Sequence, residues 1–234
     1  MRALFSIYVW VVWLLHLFVL GPIALLFVAI DPRGAGFKLV KWGSWSALRL
    51  AGIRVVARGL ERVDWAKPQV FMGNHLNLLD PFALCIVVPQ HLAGVEKAEN
   101  LKIPVYGWLS RAWGNIAIQR EDKANAHAGI ASATDRLKSG ASILILPEGT
   151  RSKDGAMGPF KKGGFHMALD AGADILPFAF NGSFEILRNG DWKVYPGTIE
   201  IVFGESVPTA GYTKESLGEL VETVRGAIAA NLNG

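Results

Sequence analysis

The sequence predicts an α/β domain with a largely parallel central sheet flanked by helices, preceded by an N-terminal membrane-associated helical segment. From residue 52 onward, short apolar runs alternate with helical patterns, the order expected when crossover helices join parallel strands. Before that point, residues 3–30 contain no Asp, Glu, Lys or Arg and are long enough to cross a bilayer as one helix. We therefore divide the chain into a membrane-anchoring part, residues 1–51, and an α/β domain, residues 52–234.

The composition of the chain indicates which kinds of molecule it binds. Hydrophobic residues make up 51% of the chain and charged residues 19%, which is more apolar than an ordinary soluble enzyme. The net charge of +4 favours an anionic partner, either lipid headgroups or nucleic acid. Eight Trp residues among dispersed bases fit a membrane interface better than a phosphate-tracking stripe, so we expect membrane lipids and no nucleic acid. The single cysteine, Cys85, excludes an internal disulfide and any Cys-rich metal site.

The apolar segment admits two arrangements, a single span or a bent hairpin. Gly21-Pro22 lies in its middle and could divide it into two arms. Bases stand on both sides of the segment: Arg2, Arg33, Lys38 and Lys41. Positive charge prefers the cytoplasmic face, and a single span cannot place both flanks there, so we favour a bent or re-entrant hairpin. Residues 36–51 form a predicted amphipathic helix whose Trp42 and Trp45 suit the headgroup level.

The elements of the α/β domain follow from apolar runs and from residues that start or stop helices. Apolar runs predict strands at residues 53–57, 69–72, 115–118, 142–146 and 175–180, and a strand or hairpin within 194–203. Helical patterns predict helices at residues 81–88, 104–113, 123–138 and 163–171. An apolar stripe at helical spacing predicts a C-terminal helix: Leu217, Leu220, Val221, Val224 and Ile228. Pro177 cannot donate to a strand ladder, so it indicates an edge, a bulge or a strand end.

His75 and Asp80 follow the strand predicted at residues 69–72. Histidine is the side chain that exchanges a proton near neutral pH. At a strand-to-helix corner, five residues are enough to fold Asp80 back onto His75, where a carboxylate would fix the tautomer and stabilise the imidazolium. Asp80 before Pro81 also has the pattern of a helix N-cap, and one carboxylate could serve both purposes. The pair is a candidate for catalysis, although this spacing also arises by chance.

A second polar cluster follows the most apolar strand, within Leu146-Pro147-Glu148-Gly149-Thr150-Arg151-Ser152. Ligands of open α/β sheets bind outside the carboxyl ends of the strands, where this loop should lie. Gly149 allows close approach of the backbone, Thr150 offers a hydroxyl, and Arg151 offers a planar fork for phosphate. Glu148 could pair with Arg151 or accept a substrate hydroxyl. The competing interpretation is an ordinary polar turn.

Two further stretches contain basic residues that could bind an anion. Residues 114–120, Gly-Asn-Ile-Ala-Ile-Gln-Arg, place Arg120 just beyond a short predicted strand. Residues 160–164, Phe-Lys-Lys-Gly-Gly, place Lys161 before a helix start, where N–H groups and lysines together can hold an anion. Solvated lysines are the competing interpretation of the second stretch.

Other chemistries find less support in the sequence. No cluster has the spacing of metal ligands, so no metal is expected. A Gly-x-Ser-x-Gly nucleophile elbow is also missing, which argues against a hydrolase run by the His–Asp pair. His91 and Glu96 repeat the spacing of His75 and Asp80, but they lack the preceding strand and the Gly-Asn pair, so we treat them as a coincidence.

The order of these stretches resembles the glycerolipid acyltransferase family, whose best-known members are the 1-acylglycerol-3-phosphate O-acyltransferases. Four motifs within residues 70–180 carry the resemblance: His-x4-Asp, Gly-x-Ile-x-Ile-x-Arg, Pro-Glu-Gly-Thr-Arg-Ser, and a hydrophobic strand with Pro. The sequence departs from the family pattern at three places. Leu76-Asn77 stands where Gln-Ser is frequent, Leu146 where Phe is frequent, and Gln119 where an acidic residue is common. These departures bear on substrate choice more than on chemistry.

The resemblance implies transfer of an acyl chain from a thioester to a lysophospholipid hydroxyl, giving phosphatidic acid from 1-acylglycerol 3-phosphate. It implies that His75 is the general base and that Asp80 orients it. The implied substrate-binding residues are Arg120, Glu148, Gly149, Thr150, Arg151 and Lys161, with the arginines on the acceptor's phosphate and Glu148 on its glycerol part. Acyl-CoA or acyl carrier protein would be the donor, and no further cofactor is implied. The bases on both flanks of the apolar segment separately predict that the domain lies on the cytoplasmic face of the membrane.

Rival functions remain at this stage. The same fold could use another acceptor, such as glycerol 3-phosphate or a lyso-aminolipid, and the arginines would then have less to bind if the acceptor lacks phosphate. A non-catalytic lipid-binding membrane protein is the rival from a different class. The intact His–Asp pair and the intact Glu-Gly-Thr-Arg loop argue against it.

Overall fold

A computed structural model describes residues 1–119 and 122–232. Seven strands of this part of the chain form one sheet, in the order β1-β7-β6-β2-β5-β3-β4. The strands are β1 (Ile53–Arg58), β2 (Val70–Gly73), β3 (Leu92–Lys97), β4 (Ile116–Ile118), β5 (Ser142–Ile145), β6 (Ile175–Asn181) and β7 (Gly197–Phe203). β6 and β7 pair antiparallel, and every other pair of neighbours in this sheet is parallel. The predicted fold class is confirmed.

Helices cover both faces of the sheet. The described helices are α1 (Arg2–Leu15), α2 (Gly21–Ile30), α3 (Ala35–Leu50), α4 (Asp80–Val87), α5 (Tyr106–Trp113), α6 (Lys123–Lys138), α7 (Gly163–Ala171), α8 (Ser183–Ile186) and α9 (Leu217–Ala230). Residues of α1, α3 and α4 pack into the core on one face, and residues of α6, α7 and α9 form the core on the other. Parallel strands buried on both faces have continuous apolar sequences, which is why most strands were predictable.

β2 lies in the middle of this sheet and carries the candidate site at its end. Its successive side chains enter opposite cores: Phe71 belongs to the α4 side, Val70 and Met72 to the α7 side, and all three are fully buried. Gly73 is the last residue of β2, and the position requires glycine because a Cβ there would lie 2.4 Å from Cε2 of Phe178. Asn74, the residue after β2, therefore lies at the carboxyl edge of the sheet, directly beyond strand residues that are fully buried.

The sequence prediction missed one strand and left the form of another open. β3 was not predicted, because its sequence Leu-Ala-Gly-Val-Glu-Lys includes a glycine and two charges and so lacks an apolar run. Pro177 lies inside β6 and pairs with Met72 of β2. On the β7 side of β6 the regular pairing ends at Phe178 and Phe203, and it resumes between Ile175 and Val207 with one extra residue on the β7 side. Of the three predicted alternatives, an edge, a bulge or a strand end, the bulge is therefore correct.

The N-terminal apolar segment is not divided into two arms at Gly21-Pro22, so the predicted position of the hairpin turn is wrong. Helix continues from Arg2 to Ile30, a length and composition sufficient to cross a membrane. Pro22 lacks the N–H that a continuous α-helix uses, and the π-helical turn at His16–Leu20 directly before it accommodates the changed hydrogen bonding. The reversal occurs later, where the Asp31 carboxylate accepts from the amides of Gly34 and Ala35 at 2.9 and 2.8 Å.

The segment nevertheless forms a hairpin, with α3 as its second arm. α3 returns along α2 and α1, as shown by Trp13, whose Nε1 donates to the Ala47 carbonyl at 3.1 Å, and by His16, whose Nε2 lies 3.1 Å from Ser46 Oγ. Lys41, one of the bases that flank the apolar segment, also has a partner in the domain. Lys41 Nζ donates to the carbonyl of Val88, just after α4, at 2.9 Å.

Candidate active site

His75 lies just beyond β2, at the carboxyl edge of the parallel strands. Its Nδ1 is 2.9 Å from Oδ2 of Asp80, so the predicted fold-back of the carboxylate onto the histidine is confirmed. Because a carboxylate only accepts, Nδ1 carries the proton and Nε2 keeps a lone pair. In the described part of the chain nothing bonds Nε2, and the His75 side chain is 19% exposed while that of Asp80 is fully buried. A basic nitrogen at a partly open edge meets the geometric requirement for a general base.

Asp80 also accepts hydrogen bonds from backbone amides, but it does not do so as the predicted helix N-cap. Its Oδ2 also accepts from the amides of Leu76 and Asn77, at 2.7 and 2.8 Å. Asp80 is the first residue of α4, Leu79 occupies the N-cap position, and no side chain caps this helix. The predicted N-cap role is therefore wrong: the carboxylate binds amides that precede the helix. All three donors meet on one oxygen, while Oδ1 is buried with no partner among the described residues.

Two buried asparagines fix the corner to the rest of the fold, and sequence reasoning gave them no role. Asn74 pairs with the backbone of Phe180, accepting from its N–H at 2.7 Å and donating to its carbonyl at 3.0 Å. Asn77 donates to the carbonyl of Ser183 and accepts from the amide of Leu79 at 2.7 Å. Their position on both sides of His75 could have indicated this role from the sequence, because polar side chains in an apolar corner must form hydrogen bonds.

Glu148 joins this corner to the loop that follows β5. Its carboxylate is 5% exposed, and Oε1 accepts from the His75 amide at 2.8 Å while Oε2 accepts from the Gly158 amide at 2.8 Å. Burial raises the pKa of this carboxyl, and the two amide bonds act in the opposite direction. The alternative pair with Arg151 is not formed, since no ion pair within the described ranges includes that arginine.

The loop after β5 presents cations beside the corner. Gly149 has a φ of +68°, a left-handed conformation that glycine adopts readily. A Cβ at this position would lie 3.1 Å from Nζ of Lys161, so the lysine lies directly against the loop. Thr150 is exposed, and Arg151 is half-buried; among the described residues its one hydrogen-bond partner is Asn189, whose Nδ2 donates to the Arg151 carbonyl at 3.2 Å. The structure thus brings five of the six predicted substrate-binding residues together: Glu148, Gly149, Thr150, Arg151 and Lys161.

Two sequence predictions remain, one about Arg120 and one about the pair His91 and Glu96. Arg120 lies outside the described residues, so its predicted role stays a prediction. His91 and Glu96 do not meet, which confirms that their spacing is a coincidence. His91 Nε2 lies 2.8 Å from the Trp113 carbonyl, and Glu96 accepts from Tyr106 Oη at 3.0 Å.

An apolar cavity of about 460 Å³ adjoins the corner. Leu79 and Pro81 line it next to Asp80, and Trp13 and Leu17 line it from the N-terminal helix. Cys85 of α4 also lines it, and burial raises the pKa of this thiol to about 12. The cavity was not predicted, because it lies between α1–α3 and α4–α5, which are distant in sequence.

These features define a class of protein. A base that can activate a hydroxyl, a cationic loop suited to an anion, and an apolar cavity suited to a hydrocarbon chain meet at one edge of an α/β sheet. Such a combination is that of an enzyme acting on amphiphilic substrates.

The model of the family described as Acyltransferase matches residues 54–181, more than half of the chain. The chain belongs to this acyltransferase family, and the resemblance seen in its motifs is confirmed.

Individual relatives agree with the family. The 1-acyl-sn-glycerol-3-phosphate acyltransferase of Pseudomonas aeruginosa is 34% identical over 209 residues, which cover 87% of this chain and 80% of the relative. The enzyme of Homo sapiens named 1-acyl-sn-glycerol-3-phosphate acyltransferase beta is 30% identical over 192 residues, covering 81% and 69%. The crystal structure of the 1-acyl-sn-glycerophosphate acyltransferase PlsC from Thermotoga maritima matches with a TM-score of 0.82 at 25% identity, over 98% of this chain and 95% of that chain.

Proposed function

We propose that this enzyme transfers an acyl chain from an acyl thioester to the free hydroxyl of 1-acylglycerol 3-phosphate, forming phosphatidic acid. The observation that carries this proposal is the His75–Asp80 pair, which leaves a basic Nε2 at the partly open sheet edge between a cationic loop and an apolar cavity. The names of the relatives support the same acceptor. The rival acceptors, glycerol 3-phosphate and a lyso-aminolipid, are tested below.

The reaction needs one proton carrier and no resident cofactor. Nε2 of His75 removes the hydroxyl proton as the acceptor oxygen attacks the thioester carbonyl, and the C–O bond forms. The tetrahedral intermediate then collapses, the C–S bond breaks, and the imidazolium returns its proton to the departing thiolate. Asp80 holds the ring by its Nδ1 proton and stabilises the imidazolium between these steps.

The loop after β5 is the proposed site for the phosphate of the acceptor. Arg151 offers a planar fork without an ion-pair partner in the described chain, and Lys161 adds a second cation beside Gly149. Thr150 offers an exposed hydroxyl. Arg120, which follows β4 in the sequence, is proposed as a further phosphate ligand.

The apolar cavity is the proposed site for the acyl chain of the donor. It begins beside Leu79 and Pro81, next to the catalytic corner, and follows α4 as far as Val88. An apolar cavity of this size is in the range of small-molecule sites. Both acyl-CoA and acyl carrier protein present the same thioester, so either could deliver the chain.

One assay tests the proposed function and its rivals together. Purified protein in vesicles is given 1-acylglycerol 3-phosphate, glycerol 3-phosphate or a lyso-aminolipid, each with acyl-CoA and with acyl-acyl carrier protein. We expect turnover to be highest with 1-acylglycerol 3-phosphate. Higher turnover of either other acceptor would replace the proposed substrate, and binding of lipid without transfer would remove the enzymatic proposal.

Arg151→Ala should raise the KM for the phosphate-bearing acceptor by about 10-fold to 100-fold, the range expected for loss of a charge-assisted bond. The KM for the acyl donor should change much less, because the thioester and its chain lie on the cavity side. Steady-state kinetics with each substrate varied in turn measures both constants. Equal increases in the two KM values would assign Arg151 a structural role.

We propose that the N-terminal hairpin lies in the plane of the cytoplasmic leaflet instead of spanning the bilayer. The domain contacts the first helix along much of its length: Val194 N donates to Ser6 Oγ at 3.1 Å, and Gly21 abuts Val105 further along. These contacts span residues 6–21, about 22 Å of helix. The nine residues left beyond Gly21 would cover roughly 13 Å, too little for a hydrocarbon core of about 30 Å.

The exposed side of the same helix supports this placement. Its exposed apolar residues recur at helical spacing: Leu4, Ile7, Tyr8, Val11, Leu14, Leu15, Phe18, Val19, Ile23, Leu26, Phe27 and Ile30. A single stripe along one side of a helix suits an in-plane amphipathic helix, whose other side here packs on protein. Both basic flanks then lie on one side of the membrane, in agreement with the positive-inside rule.

Tags at the two ends of the chain distinguish the arrangements. In sealed inside-out vesicles, which expose the cytoplasmic face, a protease should remove an N-terminal and a C-terminal tag equally well. Right-side-out vesicles should protect both tags. An N-terminal tag digested only in right-side-out vesicles would establish a span and contradict the in-plane hairpin, while leaving the acyltransferase chemistry untouched.

A further inference from the structure

The backbone of His75 is clamped on both sides by the loop that follows β5. Its N–H donates to Oε1 of Glu148 at 2.8 Å, and its carbonyl accepts from the Ser152 amide at 2.8 Å. Both groups belong to a loop that starts more than seventy residues later in the sequence. The position of the imidazole therefore depends on where this loop lies.

Glu148 is buried at the centre of this clamp. Each of its carboxylate oxygens already accepts from a backbone amide, Oε1 from His75 and Oε2 from Gly158. At 5% exposure, the side chain presents little surface to a bound acceptor. A substrate ligand would be expected to point an unoccupied oxygen into the open edge.

The loop is held in turn by a residue of the C-terminal helix. Arg225 donates through Nη1 to the Gly158 carbonyl at 3.1 Å and through Nη2 to the Met157 carbonyl at 3.4 Å. Its guanidinium also lies 5.6 Å from the ring centroid of Phe160. Gly158 is thus bonded on both sides, by Arg225 at its carbonyl and by Glu148 at its amide.

We propose that Glu148 and Arg225 are positioning residues, which hold the catalytic base in place relative to the loop after β5. They act through the series of hydrogen bonds that joins Arg225, Gly158, Glu148 and His75. This inference rests on the proposed role of His75 in acyl transfer. It assigns Glu148 to the alignment of the base, where the resemblance implied contact with the acceptor's glycerol. It also gives a role in catalysis to a residue of α9, which no motif singled out.

Glu148→Gln isolates the clamp. Glutamine keeps one acceptor oxygen but turns an NH2 group toward the other amide, so one of the two bonds is lost. We expect kcat to fall by about 10-fold to 100-fold, the scale of a small misplacement of a catalytic group. The KM values for both substrates should stay near those of the wild-type enzyme. A large rise in acceptor KM with kcat preserved would make Glu148 a substrate ligand and overturn the inference.

A double-mutant cycle with Arg225→Met tests the series. If both residues act through Gly158, the double variant should lose little more kcat than Glu148→Gln alone, because the second change removes a link already broken. Multiplicative losses would show two independent effects and overturn the proposed series. Lys214→Met is the matched control, since it removes an exposed cation that pairs with Asp170, and it should leave kcat unchanged.

Hydrogen exchange gives a readout that does not depend on substrate. In Arg225→Met, amides of residues 74–77 should exchange faster together with those of residues 157–160. Faster exchange confined to residues 157–160 would show that the loop does not position His75. The wild-type assay with 1-acylglycerol 3-phosphate separates the two proposals: inactivity there rejects the substrate, while the exchange result still decides the clamp.

Discussion

His75→Ala should abolish nearly all acyl transfer while the protein stays folded. Loss of a general base costs roughly 10²-fold to 10⁴-fold in rate. His75 lies at a sheet edge, and the fold is held there by its backbone and by Asp80, so the missing imidazole should leave the corner in place. The measurement is kcat with 1-acylglycerol 3-phosphate in vesicles.

The control for this variant is its thermal unfolding, which should match the wild-type midpoint within a few degrees. Near wild-type turnover in a well-folded His75→Ala protein would contradict the mechanism outright. Donor binding should persist, because the proposed chain site is the cavity beside α4 and does not involve the histidine. A variant that binds acyl-CoA and fails to transfer would locate the defect in the chemical step.

Asp80→Asn should reduce kcat/KM by about 10²-fold or more, through loss of charge alone. The three donors around Asp80 all meet on Oδ2, and Oδ1 has no partner in the described structure. An asparagine can therefore place its oxygen at the Oδ2 position and its NH2 group where Oδ1 was. The bonds to His75, Leu76 and Asn77 remain, and only the negative charge opposite the imidazolium disappears.

Asp80→Ala provides the contrast. It removes the acceptor for the Leu76 and Asn77 amides, and each buried amide left without a partner costs about 1–3 kcal/mol. We expect Asp80→Ala to unfold at a distinctly lower temperature and Asp80→Asn to unfold close to the wild type, with both variants slow. If Asp80→Asn kept full activity, the carboxylate would be structural and the proposed stabilisation of the imidazolium would be wrong.

The parts of the site that the sequence predicted are local in the chain. His75 and Asp80 lie five residues apart in one corner after an apolar strand, so strand, corner and pair can be read together. The loop from Glu148 to Arg151 follows the next central strand in the same way. Because parallel strands end at one edge, the meeting of these two segments could also be foreseen.

The parts that were missed depend on distant partners. Nothing near Glu148 in the sequence indicates that its oxygens bind the amides of His75 and Gly158. The cavity combines helices from the first 50 residues with α4 and α5, so no single segment shows it. β3 lacks an apolar run. The hairpin turn was misplaced because Pro22 does not interrupt the helix: a π-helical turn directly before it accommodates the missing N–H.

The bond between Ser6 and Val194 has a consequence for how the protein is made. These residues are 188 positions apart. At a synthesis rate of about 5–20 residues per second, roughly 10–40 s pass between the appearance of Ser6 and that of its partner. Throughout that interval the apolar first helix has no finished domain to pack against, and the nearest apolar surface is a bilayer. The nascent chain should therefore reach the membrane before the sheet is complete, and the domain should assemble on a helix already seated there.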